Sequence, residues 1–188
     1  LAEIILLDSA KCQESDAEYA NRKGFPKHKP VLPLYDGRDV LETMKLFEVV
    51  ERDEWFVPAE PIRMRMHDAG HLLGSNLIEV EVREGSQNTR IVFSGDVGRY
   101  DGPLYFDPVP PPECDYLICE STYGNRDHPD KNLLDALAEV INRGVERGGA
   151  MLIASFAVGR AQQFTYLLQL LRQEGRIPEL PIYLDSPM

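Results

Sequence analysis

The sequence contains no apolar run long enough to span a bilayer, which argues against a membrane-spanning helix. Cysteine is scarce. Cys12, Cys114 and Cys119 form an odd set with no metal-type CxxC pair, so neither a disulfide framework nor a thiolate zinc site is indicated. They read as reduced, buried thiols of a cytosolic protein. Positive charge is in deficit: 20 Lys and Arg stand against 31 Asp and Glu, for a formal net charge of −11. That counts against a non-specific nucleic-acid binder, which carries a basic footprint. It counts less against an enzyme, because carboxylates that hold metal ions enter this sum as negative and the metals reverse the sign locally. The opening LAEIILLDSAKC lacks a basic segment and a small-residue cleavage site, so no signal peptide is expected. The chain starts at Leu1, inside an apparent strand, and stops at Ser186-Pro187-Met188, after another. The expectation is an internal piece of a longer protein.

What is present is ordinary globular composition. With 188 residues, 43% hydrophobic and 27% charged, the chain can bury one good-sized core or parts of two.

Ala2 to Leu7 reads as a short strand, with Asp8-Ser9 as caps for the helical stretch SAKCQESDAEYANRK, which Gly24 stops. FPKHKPVLPLYDG holds three prolines and reads as an extended loop. Asp39 to Arg52 places Val40, Met44, Phe47 and Val50 near one helical face. PIRMRMHDAGHLLGS leads into NLIEVEV, which alternates as a half-buried strand does, and EGSQN turns the chain back into RIVFSGD as a hairpin. Gly102 to Glu113 is a proline-rich surface connection. Beyond it, DYLICE, AMLIASF and PIYLDSP read as strands, the first two buried. The intervening helices carry the stripe Leu134, Leu137, Ile141, Val145 and the segment GRAQQFTYLLQLLRQEG. That rhythm predicts parallel βαβ units and an α/β fold.

Three segments at strand ends carry the chemistry: AGHLLGS with His71, SGDVGR with Asp96, and ESTYGNR with Glu120. Loops at strand ends are where a rigid sheet can hold ligands for a common site. An imidazole is a neutral nitrogen ligand for zinc, and a carboxylate can bridge two metal ions. Glycines at 70, 74, 95 and 98 permit tight turns and close approach. Taken alone, each residue has a plainer reading. A histidine between glycines is more often structural, an Asp after a strand is more often a turn residue, and a Glu at a strand end is more often a solvated charge. Two residues also cannot complete a four-coordinate zinc site.

AGHLLGS followed by SGDVGR resembles the third and fourth motifs of the metallo-β-lactamase superfamily. ESTYGNR resembles motif A of its β-CASP branch, which processes nucleic acids. DSAKCQESDAEYANRKGFPKHKPVLPLY, SFAVGRAQQ and YLDSPM are similar to the bacterial and archaeal RNA-processing members, relatives of the eukaryotic pre-mRNA 3′-end endonuclease. The resemblance covers nearly the whole chain and keeps the family's motif order.

The resemblance implies a two-part α/β chain. Residues 1–123 would be the later part of a metallo-β-lactamase αββα sandwich, and residues 124–188 the start of a Rossmann-like β-CASP domain. It implies that His71 completes a first zinc site, that Asp96 bridges two zinc ions, and that Glu120 positions a second-domain histidine that protonates the leaving group. A carboxylate beside an imidazole raises its basicity and fixes its tautomer. The implied activity is two-metal hydrolysis of single-stranded RNA in the cytoplasm, with a homodimer among the arrangements the resemblance allows and no membrane partner. Ser155, Phe156, Gly159 and Arg160 sit where a strand gives way to a helix and suit a phosphate. Ser121, Tyr123 and Arg126 flank motif A and would line the same cleft. His67, His28 and His128 read as non-ligands.

The family's HxHxDH motif is absent, as are its later histidine motifs B and C; they would lie before Leu1 and beyond Met188. This chain alone is therefore expected neither to hold the metals tightly nor to cut RNA. Endo- versus exonucleolytic cleavage and RNA versus DNA stay open. Two rivals remain: a metallo-β-lactamase-fold hydrolase of small thioesters or lactams, and a non-catalytic scaffold subunit. Motif A and the βαβ tail count against the first. The three acidic and histidine motif residues count against the second.

Overall fold

The structure, a computed structural model, describes residues 1–24, 29–127 and 131–186. His28 and His128 lie outside the described residues. The chain divides into two compact units: Leu1–Val49 with the segment from Tyr183 on, and Val50–Ile182.

The first unit is helical. Helix α1 runs Ala2–Lys23 and ends at Gly24, whose φ of 71° allows its amide to reach the Ala20 carbonyl. The expected strand at Ala2 to Leu7 is therefore the first part of this helix, and Asp8 and Ser9 lie inside it rather than capping it. No turn or proline separates the apolar run from the good helix formers that follow, so the helix propagates through both. Ala10 and Ala17, two turns apart, are its buried residues. The proline-bearing loop is tied to α1: Asn21 bonds both the amide and the carbonyl of Val31 at 2.8 Å, and the Tyr35 hydroxyl meets Ser9 Oγ at 2.8 Å.

Helix α2 covers Gly37–Met44 and buries Val40. Asp36 caps it, accepting from the Arg38 and Asp39 amides, while Asp39 accepts from the Asp36 amide. The expected helix to Arg52 thus stops near Lys45. Bonds from Leu46 to Thr43 and from Phe47 to Met44 tighten the last turn, and the β-branched pair Val49-Val50 does not continue it.

The second unit holds a five-stranded sheet in sequence order: β1 Phe56–Ala59, β2 Ile62–Asp68, β3 Asn76–Glu84, β4 Gln87–Phe93 and β5 Tyr116–Ile118. Neighbours are antiparallel except β4 and β5, which run parallel. The β3–β4 hairpin closes at Gly85-Ser86, as its polar turn predicts.

Alternation along β3 is present, but the buried side is the polar one. Leu77, Glu79 and Glu81 are buried, whereas Ile78, Val80 and Val82 are half-buried. Cross-strand partners share a face, so Arg63, Arg65 and His67 from β2 and Arg90 from β4 meet the two glutamates. Arg63 and Arg65 also stack on Trp55, at 4.3 and 4.7 Å from its ring centre. The opposite face carries Met64, Met66, Ile78, Val80, Ile91 and Phe93.

Helices α3 (Leu133–Arg147) and α4 (Arg160–Gln173) follow. Asn132 caps α3 by accepting from the Leu134 and Asp135 amides. Ala138, Ile141, Leu168, Leu171 and Ile177 form the helical core. Leu134, Leu137 and Ile141 of the expected stripe face this core while Val145 is exposed, and the strands expected around it differ. AMLIASF and PIYLDSP form no strand among the described residues, and β5 is exposed rather than buried. A parallel strand needs a neighbour, and Met151 from AMLIASF instead packs on the helical core, with its sulfur filling the space beside Gly144.

The cysteines also differ from expectation. They are free, but Cys12 and Cys119 are exposed and Cys114 is only half-buried. Among the described residues, no helix is long and apolar enough to cross a membrane.

Candidate metal centre

The β2–β3 loop carries His71. Two side chains set its course. Asp68 Oδ1 accepts from the Gly70 amide at 2.8 Å, and Ser75 Oγ accepts from the His71 and Leu72 amides at 3.1 and 3.0 Å. The loop after β4 carries Asp96. Its Gly98 amide donates to the Ala69 carbonyl at 2.7 Å. A methyl group on Gly98 would lie 1.8 Å from the Gly70 oxygen, so only glycine admits this approach. Gly70 itself has φ +65° and faces the Phe106 carbonyl and Pro108 at under 3 Å from any added Cβ. Spacing alone identified these glycines as permissive; the structure shows what they bring together.

His71 Nε2 lies 4.0 Å from Asp96 Oδ2. Both side chains are open to solvent, at 41% and 75% exposure, so an ion can reach them. Two ligands bound about 2.0–2.2 Å from one zinc ion stand a little closer than this, so the pair fits two of its positions after a small adjustment. The fit goes no further. No group of three or more His, Cys, Asp or Glu able to hold a metal occurs among the described residues.

Glu120 joins the same neighbourhood from the end of β5. Its Oε1 accepts from the Val97 amide at 2.8 Å and its Oε2 from the Thr122 hydroxyl at 2.6 Å. The Thr122 hydroxyl, then the Val97 amide, hold its carboxyl below the ordinary carboxylate value, and the nearby His71 adds to this. Ser121, Tyr123 and Arg126 occupy the exposed turn that follows, closed by bonds from Gly124 to Ser121 and from Arg126 to Tyr123.

The start of α4 comes to the His71 loop through Gly159. A Cβ there would lie 2.2 Å from Leu72 and 3.4 Å from the Tyr105 hydroxyl. The Gly159 amide donates to Gln162 Oε1 at 2.7 Å. Ser155 Oγ bonds the Phe156 carbonyl, and Phe156 and Arg160 are exposed. So Gly159 abuts the candidate centre, with exposed Phe156 and Arg160 beside it in sequence.

His67 has a different role. It is buried, with Nδ1 2.7 Å from Asp53 and Nε2 3.0 Å from Glu79. Both nitrogens are engaged in the sheet's charged face. Asp68, Ser75 and Ser94, which shape the site's loops, stood in the motifs or beside them without a role assigned. A short polar side chain before a tight turn was the available signal.

No protein-family model matches the chain. Comparison with curated proteins does find relatives. Ribonuclease TTHA0252 of Thermus thermophilus is 36% identical over 157 residues, 83% of this chain and 35% of that protein. The transcription termination factor FttA of Methanosarcina mazei is 36% identical over 157 residues, 81% of this chain and 24% of that protein. Endoribonuclease ysh1 of Schizosaccharomyces pombe is 33% identical over 158 residues, 82% of this chain and 20% of that protein. The chain thus spans about a third or less of the length of these curated relatives. With this similarity over four fifths of its length, and with AGHLLGS, SGDVGR and ESTYGNR in that order, the chain belongs to the β-CASP branch of the metallo-β-lactamase superfamily.

Proposed function

We propose that this chain contributes His71 and Asp96 to the two-zinc centre of a longer RNA-hydrolysing protein. The observation that carries the reading is the convergence of three motif loops, with His71 Nε2 4.0 Å from Asp96 Oδ2 and Glu120 bonded to the amide after Asp96. The names ribonuclease and endoribonuclease among the relatives support the choice of reaction.

His71 would offer one imidazole nitrogen, and Asp96 two oxygens that suit a bridging position. When bound, the metal pair supplies an acidified water and neutralises charge on the phosphodiester. The chain's own residues do the rest of what can be assigned. Arg160 and Arg126 carry the positive charge for the phosphate backbone, with Ser155 and Ser121 as hydroxyl donors. Phe156 and Tyr123, exposed at 83% and 59%, offer flat faces on which bases of single-stranded RNA can stack. The five-stranded sheet serves as one layer of the αββα sandwich; its apolar face, with Met64 and Val80 half-buried and Phe93 exposed, supports that assignment.

The test compares the whole protein that contains this sequence with its Asp96→Ala variant. Zinc content and cleavage of labelled single-stranded RNA and DNA of one sequence are measured. The reading expects about two zinc ions per chain in the wild type, cleavage of RNA, and loss of both in the variant. A zinc-free, inactive wild type would instead support the scaffold reading, which the two-donor set among the described residues keeps in view.

A further inference from the structure

The Asp96 carboxylate has no hydrogen bond of its own among the described residues; its one close partner is His71 at 4.0 Å. Its position must therefore come from its backbone. Besides the Gly98–Ala69 bond that seats this loop on the loop of His71, two bonds hold that backbone to the end of β5. The Ser94 amide donates to the Ile118 carbonyl at 2.9 Å, which continues the parallel β4–β5 ladder one step beyond Phe93 and Ile118. The Val97 amide, the peptide group immediately after Asp96, donates to Glu120 Oε1 at 2.8 Å. Glu120 is itself held in return. Its amide donates to Ser94 Oγ at 3.0 Å, and its Oε2 accepts from Thr122. Gly95, at φ +54°, makes the turn between the two anchor points. The result is a reciprocal clamp: Ser94 holds Glu120, and Glu120 holds Val97 on the far side of Asp96.

We infer that Glu120 acts in this protein as the positioning residue of the Asp96 loop, through the Val97 amide. The inference rests on the reading of Asp96 as a metal ligand. It differs from the resemblance-based role, in which the Glu120 charge serves a histidine outside this chain. A positioning carboxylate needs an acceptor oxygen at Oε1, whereas a partner for a proton-carrying imidazole needs the negative charge. Gln at 120 separates the two. Its Oε1 still accepts from Val97, and the Thr122 hydroxyl can turn to accept from its Nε2.

The experiment uses the whole protein as wild type, Glu120→Gln and Glu120→Ala. It measures hydrogen exchange at the Val97 amide, zinc content, and kcat on labelled single-stranded RNA. Glu120→Ala is expected to speed Val97 exchange about tenfold, the loss of one hydrogen bond. It is also expected to lower kcat about a hundredfold, as displaced ligands do. Glu120→Gln should stay within about threefold of wild type in exchange and about tenfold in kcat. Equal exchange in all three proteins would overturn the clamp. So would a Glu120→Gln protein as inactive as Glu120→Ala while Val97 stays protected, since the charge would then be what matters. If Glu120→Ala fails to fold, the Gln variant still decides between acceptor and charge. A wild type with neither zinc nor cleavage would sink the nuclease reading, and the exchange arm would still judge the clamp.

Discussion

The Gly98 amide donates to the Ala69 carbonyl at 2.7 Å, and this bond seats the loop of Asp96 on the loop of His71. The contact is backbone on backbone, with no side chain to yield. A Cβ at position 98 would lie 1.8 Å from the Gly70 oxygen and 2.7 Å from the His71 nitrogen.

Gly98→Ala is therefore expected to push the two loops apart. The cost to stability should be about 1–3 kcal/mol, the range for forcing atoms into a filled space. The signature is local: hydrogen exchange should speed up at Ala69–His71 and at Gly98, while the helical core of α3 and α4 stays protected. Unchanged exchange at both loops would show that the contact can rearrange freely.

The candidate site was legible through motif resemblance, while local chemistry alone gave each of its residues a plainer reading. His71, Asp96 and Glu120 sit in glycine-bearing loops at strand ends that the structure brings together, and the β3–β4 hairpin follows from its alternation and polar turn. Segments of ambiguous composition, and those whose partners lie far along the chain, were misread. Ala2–Leu7 could be strand or helix by composition, and its helical continuation decided it. AMLIASF has the composition of a buried strand, yet strand pairing is a tertiary property, and Met151 goes to the helical core instead. The burial of Glu79 and Glu81 was invisible because their partners Arg63, Arg65 and Arg90 come from neighbouring strands.

Asp68 offers a test of how the His71 loop keeps its shape. Its Oδ1 accepts from the Gly70 amide at 2.8 Å, while its Oδ2 pairs with Arg52 at 2.7 Å. Asp68→Ala removes both and should cost about 1–2 kcal/mol in denaturant unfolding. Asp68→Asn keeps an acceptor for Gly70 and should recover most of that. Equal losses in the two variants would assign the effect to the Arg52 ion pair rather than to the turn.

His71→Ala should weaken zinc binding by the whole protein at least about a hundredfold, more than removal of an outer hydrogen-bond partner does. His67→Ala should leave zinc affinity nearly unchanged and lower stability instead, because both its nitrogens face Asp53 and Glu79 in the charged sheet face. Competition against a zinc-binding dye reads the first effect and thermal unfolding the second. A zinc loss on His67→Ala that matched His71→Ala would mean the ligand set has been drawn in the wrong place.

The charged face of the sheet predicts how the fold responds to acid. Burial alone would raise the Glu79 carboxyl, but hydrogen bonds from His67 and Arg65, with the charges of Arg65 and Arg90, outweigh it and hold it below the ordinary value. Arg63, bonded through both carboxylate oxygens, does the same for Glu81. A carboxyl lowered in the folded state stabilises the fold at every pH above its unfolded value, about 4.3 for Glu. That stabilisation is given up as pH falls through the lower folded value. Stability should thus be flat in these groups above about pH 5 and fall below about pH 4. Glu79→Gln should flatten part of the acid slope and cost stability at neutral pH, because three cationic or protonatable partners lose their counter-charge. The cost should be about 2–3 kcal/mol, less than for a fully buried pair, since Arg65 and Arg90 are part-exposed and recover some hydration. Denaturant unfolding from pH 3 to 7 measures both. An acid slope identical in wild type and Glu79→Gln would remove Glu79 from the account and leave Glu81 to carry it.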